Sequence, residues 1–276
     1  ITIIGAGNMG GALIKGWAKA ARTSALSATA IDALDITITA HTQTTLDRFK
    51  AEYPELHTSL DNKAAAADAD IIVLAVKPWL IKNVITEISS ALNLNNQIIV
   101  SVAANILTSD LRQMLMDANP QASDLQPATF YAMPNIAAEF GESMTFVAAA
   151  EGVPASQTAL IETLFSLVGS VKVCEERLIA PGMMMAGCGI AYVMRFLRAM
   201  MEGGVEMGFY PKDAQLIAQQ TMQGAITLLS ETGLHPEAAI DKVTTPGGVT
   251  IKGLNELDHA GFNSAVIRCL KAGLKK

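Results

Sequence analysis

Ile1-Thr2-Ile3-Ile4-Gly5-Ala6-Gly7-Asn8-Met9-Gly10 opens the chain with four residues typical of a buried strand, followed at once by a glycine pattern. Apolar residues then recur at helical spacing as far as Ala18, so strand, glycine turn and helix are contiguous. In that context Gly-x-Gly-x-x-Gly is typical of a dinucleotide site. Gly5 permits a tight turn, Gly7 lets the backbone approach a pyrophosphate, and Gly10 lets the helix pack on the strand.

The N-terminus of this first helix offers free N–H groups to a phosphate. The cofactor contacts expected from the motif are Gly5, Gly7, Asn8, Met9 and Gly10. The alternative is a strand-to-helix connection that binds nothing.

The composition limits which classes of function the chain can have. The chain has 276 residues, of which 50% are hydrophobic, with a formal net charge of -6, so two domains are expected. Only 17% of residues are charged, which predicts that apolar surface enters a subunit interface. Lysines and arginines form no cluster, and nucleic acid is therefore not expected as a partner.

Neither a membrane span, a metal site nor secretion is predicted. The best apolar run, Pro181–Met194, stops at Arg195 and is shorter than the roughly 18 residues that a span requires. Ile1 leads directly into a strand without a signal sequence, so a cytoplasmic location is expected. The odd number and wide spacing of the cysteines indicate reduced thiols: Cys174, Cys188 and Cys269.

The end of a second strand, Asp35–Thr39, bears on cofactor choice. An enzyme selective for NAD would carry Asp or Glu there for the ribose 2′-hydroxyl, whereas this chain has Ala40-His41-Thr42. His41, together with Thr42 and Thr44, could donate hydrogen bonds to a 2′-phosphate, which favours NADPH and leaves NADH open. The alternative is that His41 is an exposed loop residue.

Two further strands lead toward the same crevice. Asp70–Pro78 is typical of a central parallel strand, apolar on both faces, with proline opening the next helix. Gln97–Val102 repeats the pattern and ends in small residues that would let a flat ring lie close. These strand ends add the expected cofactor contacts Ala75, Val76, Lys77, Pro78, Ala103 and Ala104. An exposed lysine and packing by small residues are the alternatives.

The pattern changes near Glu175. Before it, strands alternate with helices, the last strand being Val171–Cys174; after it, the sequence is almost entirely helical. We therefore predict an α/β protein with an N-terminal Rossmann-type doubly wound sheet, residues 1–174, and an all-helical dimerisation domain, residues 175–276. The first long helix of that domain is apolar nearly all round, which predicts that two subunits interleave as a homodimer.

Thr244-Thr245-Pro246-Gly247-Gly248-Val249-Thr250 is the second stretch with chemical content. A proline followed by two glycines lets successive N–H groups converge on an anion, and the helix that follows adds partial positive charge. The stretch predicts a cradle for a small anionic substrate, and the alternative is a plain turn before a helix.

These motifs together resemble the pyrroline-5-carboxylate reductase family over essentially the whole length. The residues that carry the resemblance are Gly5–Gly10, Ala75–Pro78, Ser101–Ala104, Met133–Asn135, Gly203–Val205 with Met207–Gly208, and Thr245–Gly248 with Thr250–Ile251. The resemblance implies reduction of 1-pyrroline-5-carboxylate to L-proline, the last step of proline biosynthesis, with NAD(P)H. It also implies a homodimer, often assembled into a ring of dimers, for which a decamer is the expectation.

Carried over by position, the resemblance assigns further site residues. Gly247, Gly248, Val249 and Thr250 would hold the substrate carboxylate, with the catalytic Thr250 hydroxyl near the ring nitrogen and Glu176 near the substrate pocket. Asn62 would contact the adenosine part of the cofactor, and Asn135 would lie with Ala103 at the nicotinamide.

This chain departs from the family pattern in several places. Ala186–Ala191 replaces Ser-Gly-Ser-Gly-Pro-Ala, Ile136-Ala137 replaces Thr-Pro, Asn105 replaces a glycine, Lys242 replaces an asparagine and Met183 replaces a threonine. Several hydroxyl groups that would shape the pocket are therefore missing, and a catalytically weakened paralogue acting as an NADP-binding sensor or scaffold is one alternative.

The second alternative is a 3-hydroxy-acid dehydrogenase-like enzyme. Such an enzyme would need a catalytic lysine on the first long helix of the second domain, and no lysine lies between Lys172 and Lys212. A cyclic imine acid, by contrast, is already electrophilic when protonated, so its reduction needs mainly orientation.

Overall fold

The computed structural model describes residues 1–23, 34–122 and 125–274. The chain divides into two compact units, Ile1–Gly187 and Cys188–Lys276. The predicted boundary after Cys174 stays a prediction.

The first unit is built on one eight-stranded sheet. Its strands are β1 Thr2–Ile4, β2 Thr37–Thr39, β3 His57–Ser59, β4 Ile71–Leu74, β5 Ile98–Ser101, β6 Ala128–Met133, β7 Ser143–Ala149 and β8 Gly169–Val173. Its helices are α1 Asn8–Ala21, α2 Gln43–Glu52, α3 Asn62–Ala67, α4 Ile81–Ile88, α5 Thr108–Ala118, α6 Ala155–Ser166 and α7 Ile179–Gly182.

The order across the sheet is β3-β2-β1-β4-β5-β6-β7-β8. The strands pair in parallel except β6 with β7, which pair antiparallel. The chain therefore runs outward from β1 to β3 and then back past β1 to β4. This reversal between β1 and β4 is the topological switch point of a doubly wound sheet, beside which dinucleotides bind.

Both faces of the sheet are covered. One buried cluster joins Trp17 of α1, Phe49 of α2 and Phe165 of α6 to the strands, and a second joins Ile85 of α4 and Leu111 of α5 to the opposite face. Strands buried on both faces explain the continuous apolar runs in the sequence, such as Ile71–Leu74. The predicted Rossmann-type α/β class is confirmed.

The second unit is helical. Its helices are α8 Gly189–Glu206, α9 Pro211–Thr232, α10 Pro236–Lys242, α11 Val249–His259 and α12 Phe262–Ala272. The residues buried in the described part of this unit are all glycine or alanine: Gly189, Gly204, Ala214, Ala218 and Ala239. The larger apolar side chains described there are half-buried or exposed, so the described residues of one copy form no core of their own in this unit.

The helical residues from Glu176 to Glu206 form a stretch long and apolar enough to cross a membrane by length and composition alone. In the single chain, 22% of the most apolar part of this stretch is buried. A helix that packs against a second protein copy passes the same test. The absence of a membrane segment therefore stays a prediction.

Candidate cofactor and substrate site

A cleft of about 540 Å³ opens at the carboxyl ends of β1 and β4, at the switch point of the sheet. It is lined by Gly5, Ala6, Gly7, Asn8, Met9, Ala40, His41, Thr42, Thr45, Ala75, Val76, Lys77, Pro78, Leu80, Val102, Ala103, Ala104 and Ile136. Most of the cofactor residues expected from the sequence are brought together here. The exceptions are Gly10, Asn62 and Asn135.

The glycine motif has the geometry that a dinucleotide requires. Gly5 has a φ of +105°, and a side chain on it would meet the Ala75 carbonyl oxygen at 2.9 Å. A Cβ on Gly10 would lie 1.9 Å from the Gly5 carbonyl oxygen, so Gly10 packs α1 onto the strand from below the cleft. Gly7, in contrast, has no atom within 4 Å of its Cβ position.

That open space at Gly7 lies at the start of α1, where no side chain caps the helix. The N–H groups of the first helical turn are thus available to an anion, and the helix dipole favours negative charge there. The residues present fit the pyrophosphate of a dinucleotide.

The end of β2 forms the wall of the cleft that bears on the 2′-position of the ribose. His41 and Thr42 are exposed, and the Thr42 Oγ1 lies 2.9 Å from the Thr45 Oγ1 across the first turn of α2. Among the lining residues in the described parts of the chain there is no aspartate or glutamate, and Lys77 is the one lysine. This wall carries hydroxyl and imidazole groups and no negative charge.

The ends of β4 and β5 form the opposite wall. The Ala75 N–H bonds the Ile4 carbonyl oxygen at 2.9 Å, which extends the β1–β4 pairing to the edge of the cleft. Pro78 opens a short 3₁₀ turn, Pro78–Leu80, ahead of α4, as the sequence predicted. Ala103 and Ala104 follow β5 and leave this wall without protruding side chains.

Asn105, next to Ala104, has a φ of +61°. Its backbone N–H donates to the hydroxyl oxygen of Tyr131 at 2.9 Å. Burial raises the pKa of Tyr131, so this phenol stays protonated at neutral pH. The left-handed backbone explains why the family pattern has glycine at this position, and asparagine is among the residues that tolerate it.

The side-chain amides of Asn62 and Asn135 form hydrogen bonds with other residues of the chain. The Thr39 hydroxyl donates to the Asn62 Oδ1 at 2.6 Å, and the Asn62 Nδ2 donates to the Glu87 Oε2 at 3.1 Å. The Asn135 Oδ1 accepts from the Ala137 N–H at 3.0 Å, and its Nδ2 donates to the Ala186 carbonyl oxygen at 3.3 Å. Direct cofactor contact by either residue stays a prediction.

Glu176 bonds the start of α5. Its Oε1 accepts from the Thr108 N–H at 2.6 Å, in a contact between residues far apart in the sequence. Its expected place beside the substrate stays a prediction, since the described contact is with the segment that follows β5.

The Thr244–Thr250 loop lies in the second unit. The Gly248 N–H bonds the Thr245 carbonyl oxygen at 2.9 Å, and Gly247 has a φ of +70°. Proline followed by a glycine with positive φ defines a type II turn, which explains the Pro246-Gly247 pair. The turn leads into α11, whose start no side chain caps, while Val249 is 84% exposed. Free N–H groups therefore face outward at this helix start, as a carboxylate cradle requires.

Several lining residues were missed by the sequence reasoning. Thr45 lies one helical turn after Thr42 on α2, a spacing that could have predicted it. Leu80 carries no sequence signal, and Ile136 was recognised only as a departure from the family pattern, because both reach the cleft through tertiary structure. In the described ranges no three His, Cys, Asp or Glu side chains are grouped as metal ligands.

Two family models match the chain. A model described as pyrroline-5-carboxylate reductase dimerisation matches residues 176–276, and one described as NADP oxidoreductase coenzyme F420-dependent matches residues 1–105.

Individual relatives agree with these models. Pyrroline-5-carboxylate reductase 2 of Dictyostelium discoideum is 31% identical, covering 100% of this chain and 91% of that one. Pyrroline-5-carboxylate reductase 1 of the same organism is 33% identical over 97% of this chain, which spans about half, 47%, of that longer protein. A solved pyrroline-5-carboxylate reductase from Coxiella burnetii is 29% identical, with a TM-score of 0.84 over 99% of this chain and 94% of that one.

Proposed function

This chain belongs to the pyrroline-5-carboxylate reductase family, and we propose that it reduces 1-pyrroline-5-carboxylate to L-proline with NAD(P)H, the last step of proline biosynthesis. The observation that carries the proposal is the Pro246-Gly247 turn, which opens into an uncapped helix start in a chain that also forms a glycine-lined cleft. The first feature suits the carboxylate of a small substrate, and the second suits a dinucleotide.

The proposed reaction needs little chemistry from side chains. A bound reduced nicotinamide would supply a hydride to the carbon of the protonated imine, whose ring nitrogen would keep its proton. The N–H groups at Val249 and Thr250 hold the substrate carboxylate, and the Thr250 hydroxyl hydrogen-bonds near the ring nitrogen. The Gly248 N–H, which was expected to share in this, instead closes the turn by its bond to the Thr245 carbonyl oxygen. Orientation of this kind replaces a bimolecular encounter by a positioned one.

NADPH is the proposed cofactor in preference to NADH. The end of β2 has no carboxylate to bond a 2′-hydroxyl or repel a 2′-phosphate, and His41, Thr42 and Thr45 can donate hydrogen bonds there. Comparison of kcat/KM for the two cofactors tests this choice, and a higher value with NADH would contradict it.

A homodimer is the proposed minimal assembly, since the second unit buries only glycine and alanine in its described part. A second copy would cover apolar side chains such as Leu216, Ile226 and Ile267, which are 66%, 61% and 56% exposed. A ring of such dimers, up to a decamer, follows from the family resemblance. All three cysteines are free thiols, which supports the proposed cytoplasmic location.

The test is oxidation of NADPH in the presence of 1-pyrroline-5-carboxylate, followed by absorbance, with proline identified as the product. Cofactor binding without turnover would overturn the reductase proposal and support an NADP-binding sensor instead. Reduction of NADP⁺ in the presence of a 3-hydroxy acid would support the dehydrogenase alternative.

A further inference from the structure

The segment Ala103–Thr108 leads from β5 into α5. Residues that do not belong to the glycine motif hold it in place. Its first two residues line the cofactor cleft, and Ala104 also packs on the buried cluster that contains Tyr131 and Ile179. The position of this wall therefore depends on what fixes the rest of the segment.

Tyr131 fixes the middle of the segment. It is 4% exposed on β6 and accepts the Asn105 N–H at 2.9 Å. Asn105 is the one non-glycine residue with positive φ among the described residues. A left-handed conformation is unfavourable for a residue with a side chain, so the bond to Tyr131 supplies part of what keeps it.

Glu176 fixes the end of the segment. Leu107 precedes α5 in the N-cap position, but leucine has no side-chain oxygen for the free N–H groups there. The Glu176 Oε1 accepts the Thr108 N–H at 2.6 Å instead, while the Asp110 Oδ2 accepts the Leu107 N–H at 3.3 Å. The start of this helix thus takes a cap from another part of the chain.

We infer that Tyr131 and Glu176 are positioning residues for the nicotinamide cofactor: together they hold Ala103–Thr108 in its bound arrangement before the cofactor arrives. The inference rests on the proposed function for the identity of the ligand. Neither side chain lines the cleft, so both act through the segment. A wall that is ordered in advance spares the cofactor the entropy loss of ordering it on binding.

The direction in which replacement of Glu176 changes the NADPH affinity distinguishes a positioning role from a simple effect of its charge. The Glu176 carboxylate has the same sign of charge as the cofactor phosphates, so removal of the charge alone would leave NADPH binding unchanged or strengthen it. Loss of the cap would weaken binding, because the segment would then sample other conformations. Glutamine at this position loses the charge but keeps a carbonyl oxygen that can accept the Thr108 N–H.

The experiment uses the full chain and the variants Tyr131→Phe, Glu176→Ala and Glu176→Gln. Glu175→Ala is the matched control, because Glu175 is an exposed neighbour whose carboxylate bonds Arg177. NADPH affinity is measured by fluorescence titration, and hydrogen exchange of residues 103–108 is measured without cofactor. KM is determined separately for NADPH and for the imine substrate.

Tyr131→Phe and Glu176→Ala are expected to raise the NADPH dissociation constant about threefold to tenfold, the effect of one hydrogen bond. Both should speed hydrogen exchange at Asn105 and Thr108. The NADPH dissociation constant of Glu176→Gln should stay within about twofold of the value for the parent protein. Glu175→Ala should leave the NADPH affinity and the hydrogen exchange unchanged.

Unchanged or tighter NADPH binding in a folded Glu176→Ala protein, or unchanged exchange in Tyr131→Phe, would overturn the inference. An increase in KM for the imine alone would instead place Glu176 at the substrate. Failure of the parent protein to reduce 1-pyrroline-5-carboxylate would overturn the proposed function only, since exchange and NADPH affinity do not depend on turnover.

Discussion

Gly10 and Gly5 meet backbone to backbone, and a methyl group on Gly10 would lie 1.9 Å from the Gly5 carbonyl oxygen. Backbone cannot move aside as the end of a flexible side chain can. Gly10→Ala is therefore expected to destabilise the protein by about 3 kcal/mol or more through overpacking. Urea unfolding followed by circular dichroism measures this loss, and a variant as stable as the parent would contradict the close packing of α1 on β1.

Gly7→Ala provides the contrasting case. A Cβ there has no neighbour within 4 Å, and the backbone φ of −75° suits alanine. The unfolding free energy should change by less than about 1 kcal/mol, the size of an N-cap effect. The methyl group would nevertheless fill the space that a pyrophosphate needs, so the NADPH dissociation constant should rise at least about tenfold. Loss of stability together with unchanged NADPH affinity would reverse the roles assigned to these two glycines.

The fold was predictable where the deciding signal is local. The sequence Ile1–Gly10 predicts strand, turn and helix in the order found, because the buried strand, the glycines and the helical spacing are contiguous. The edge strand His57–Ser59 was missed, since it is short, polar and paired on one side. Its place in the sheet comes from tertiary pairing with β2, which no local pattern records.

The site residues were likewise predictable only where the signal is local. Residues at strand ends, such as Ala75 and Ala103, were expected at the cleft because parallel strands end at one edge of a sheet. The hydrogen bonds of Asn135 and Glu176 join segments far apart in the sequence, so spacing could not predict them. Asn105 was recognised only as a departure from a family glycine, and its positive φ supplies the physical reason.

Thr250→Ala is expected to lower kcat on 1-pyrroline-5-carboxylate about tenfold or more, because one hydrogen bond near the reacting nitrogen is lost. NADPH affinity should stay nearly unchanged, since the cofactor cleft is in the other unit. Thr221→Ala is the control, because its hydroxyl bonds the Ile217 carbonyl oxygen on the exposed part of α9. Equal loss of turnover and of NADPH affinity would show that Thr250 does not act on the substrate.

Alkaline pH should destabilise the first unit through Tyr53. Burial raises the pKa of Tyr53 from 10.0 to about 12, and its side chain is 2% exposed. The folded state thus favours the neutral phenol, so this contribution is fully present below pH 10 and is lost as pH rises from about 10 to about 12. At about 1.4 kcal/mol per pH unit, the loss approaches 2 to 3 kcal/mol at the upper end. Urea unfolding between pH 9 and pH 11 measures it, and the same slope in Tyr53→Phe would contradict the assignment.

Ile226→Glu should separate the subunits. Ile226 is 61% exposed in one chain and lines a groove with Val193 and Leu197 of α8. A partner copy that covers this groove would desolvate the carboxylate, which costs several kcal/mol when no opposite charge pairs with it. Light scattering should find the parent protein without a stable monomer at micromolar concentration and Ile226→Glu shifted toward monomer. Ile226→Met, which keeps an apolar side chain of similar size, should retain the parent mass. A parent protein that is monomeric at this concentration and has a folded second unit would contradict the proposed dimer. It would show that one copy tolerates these apolar side chains in water, although the described residues of that unit form no core.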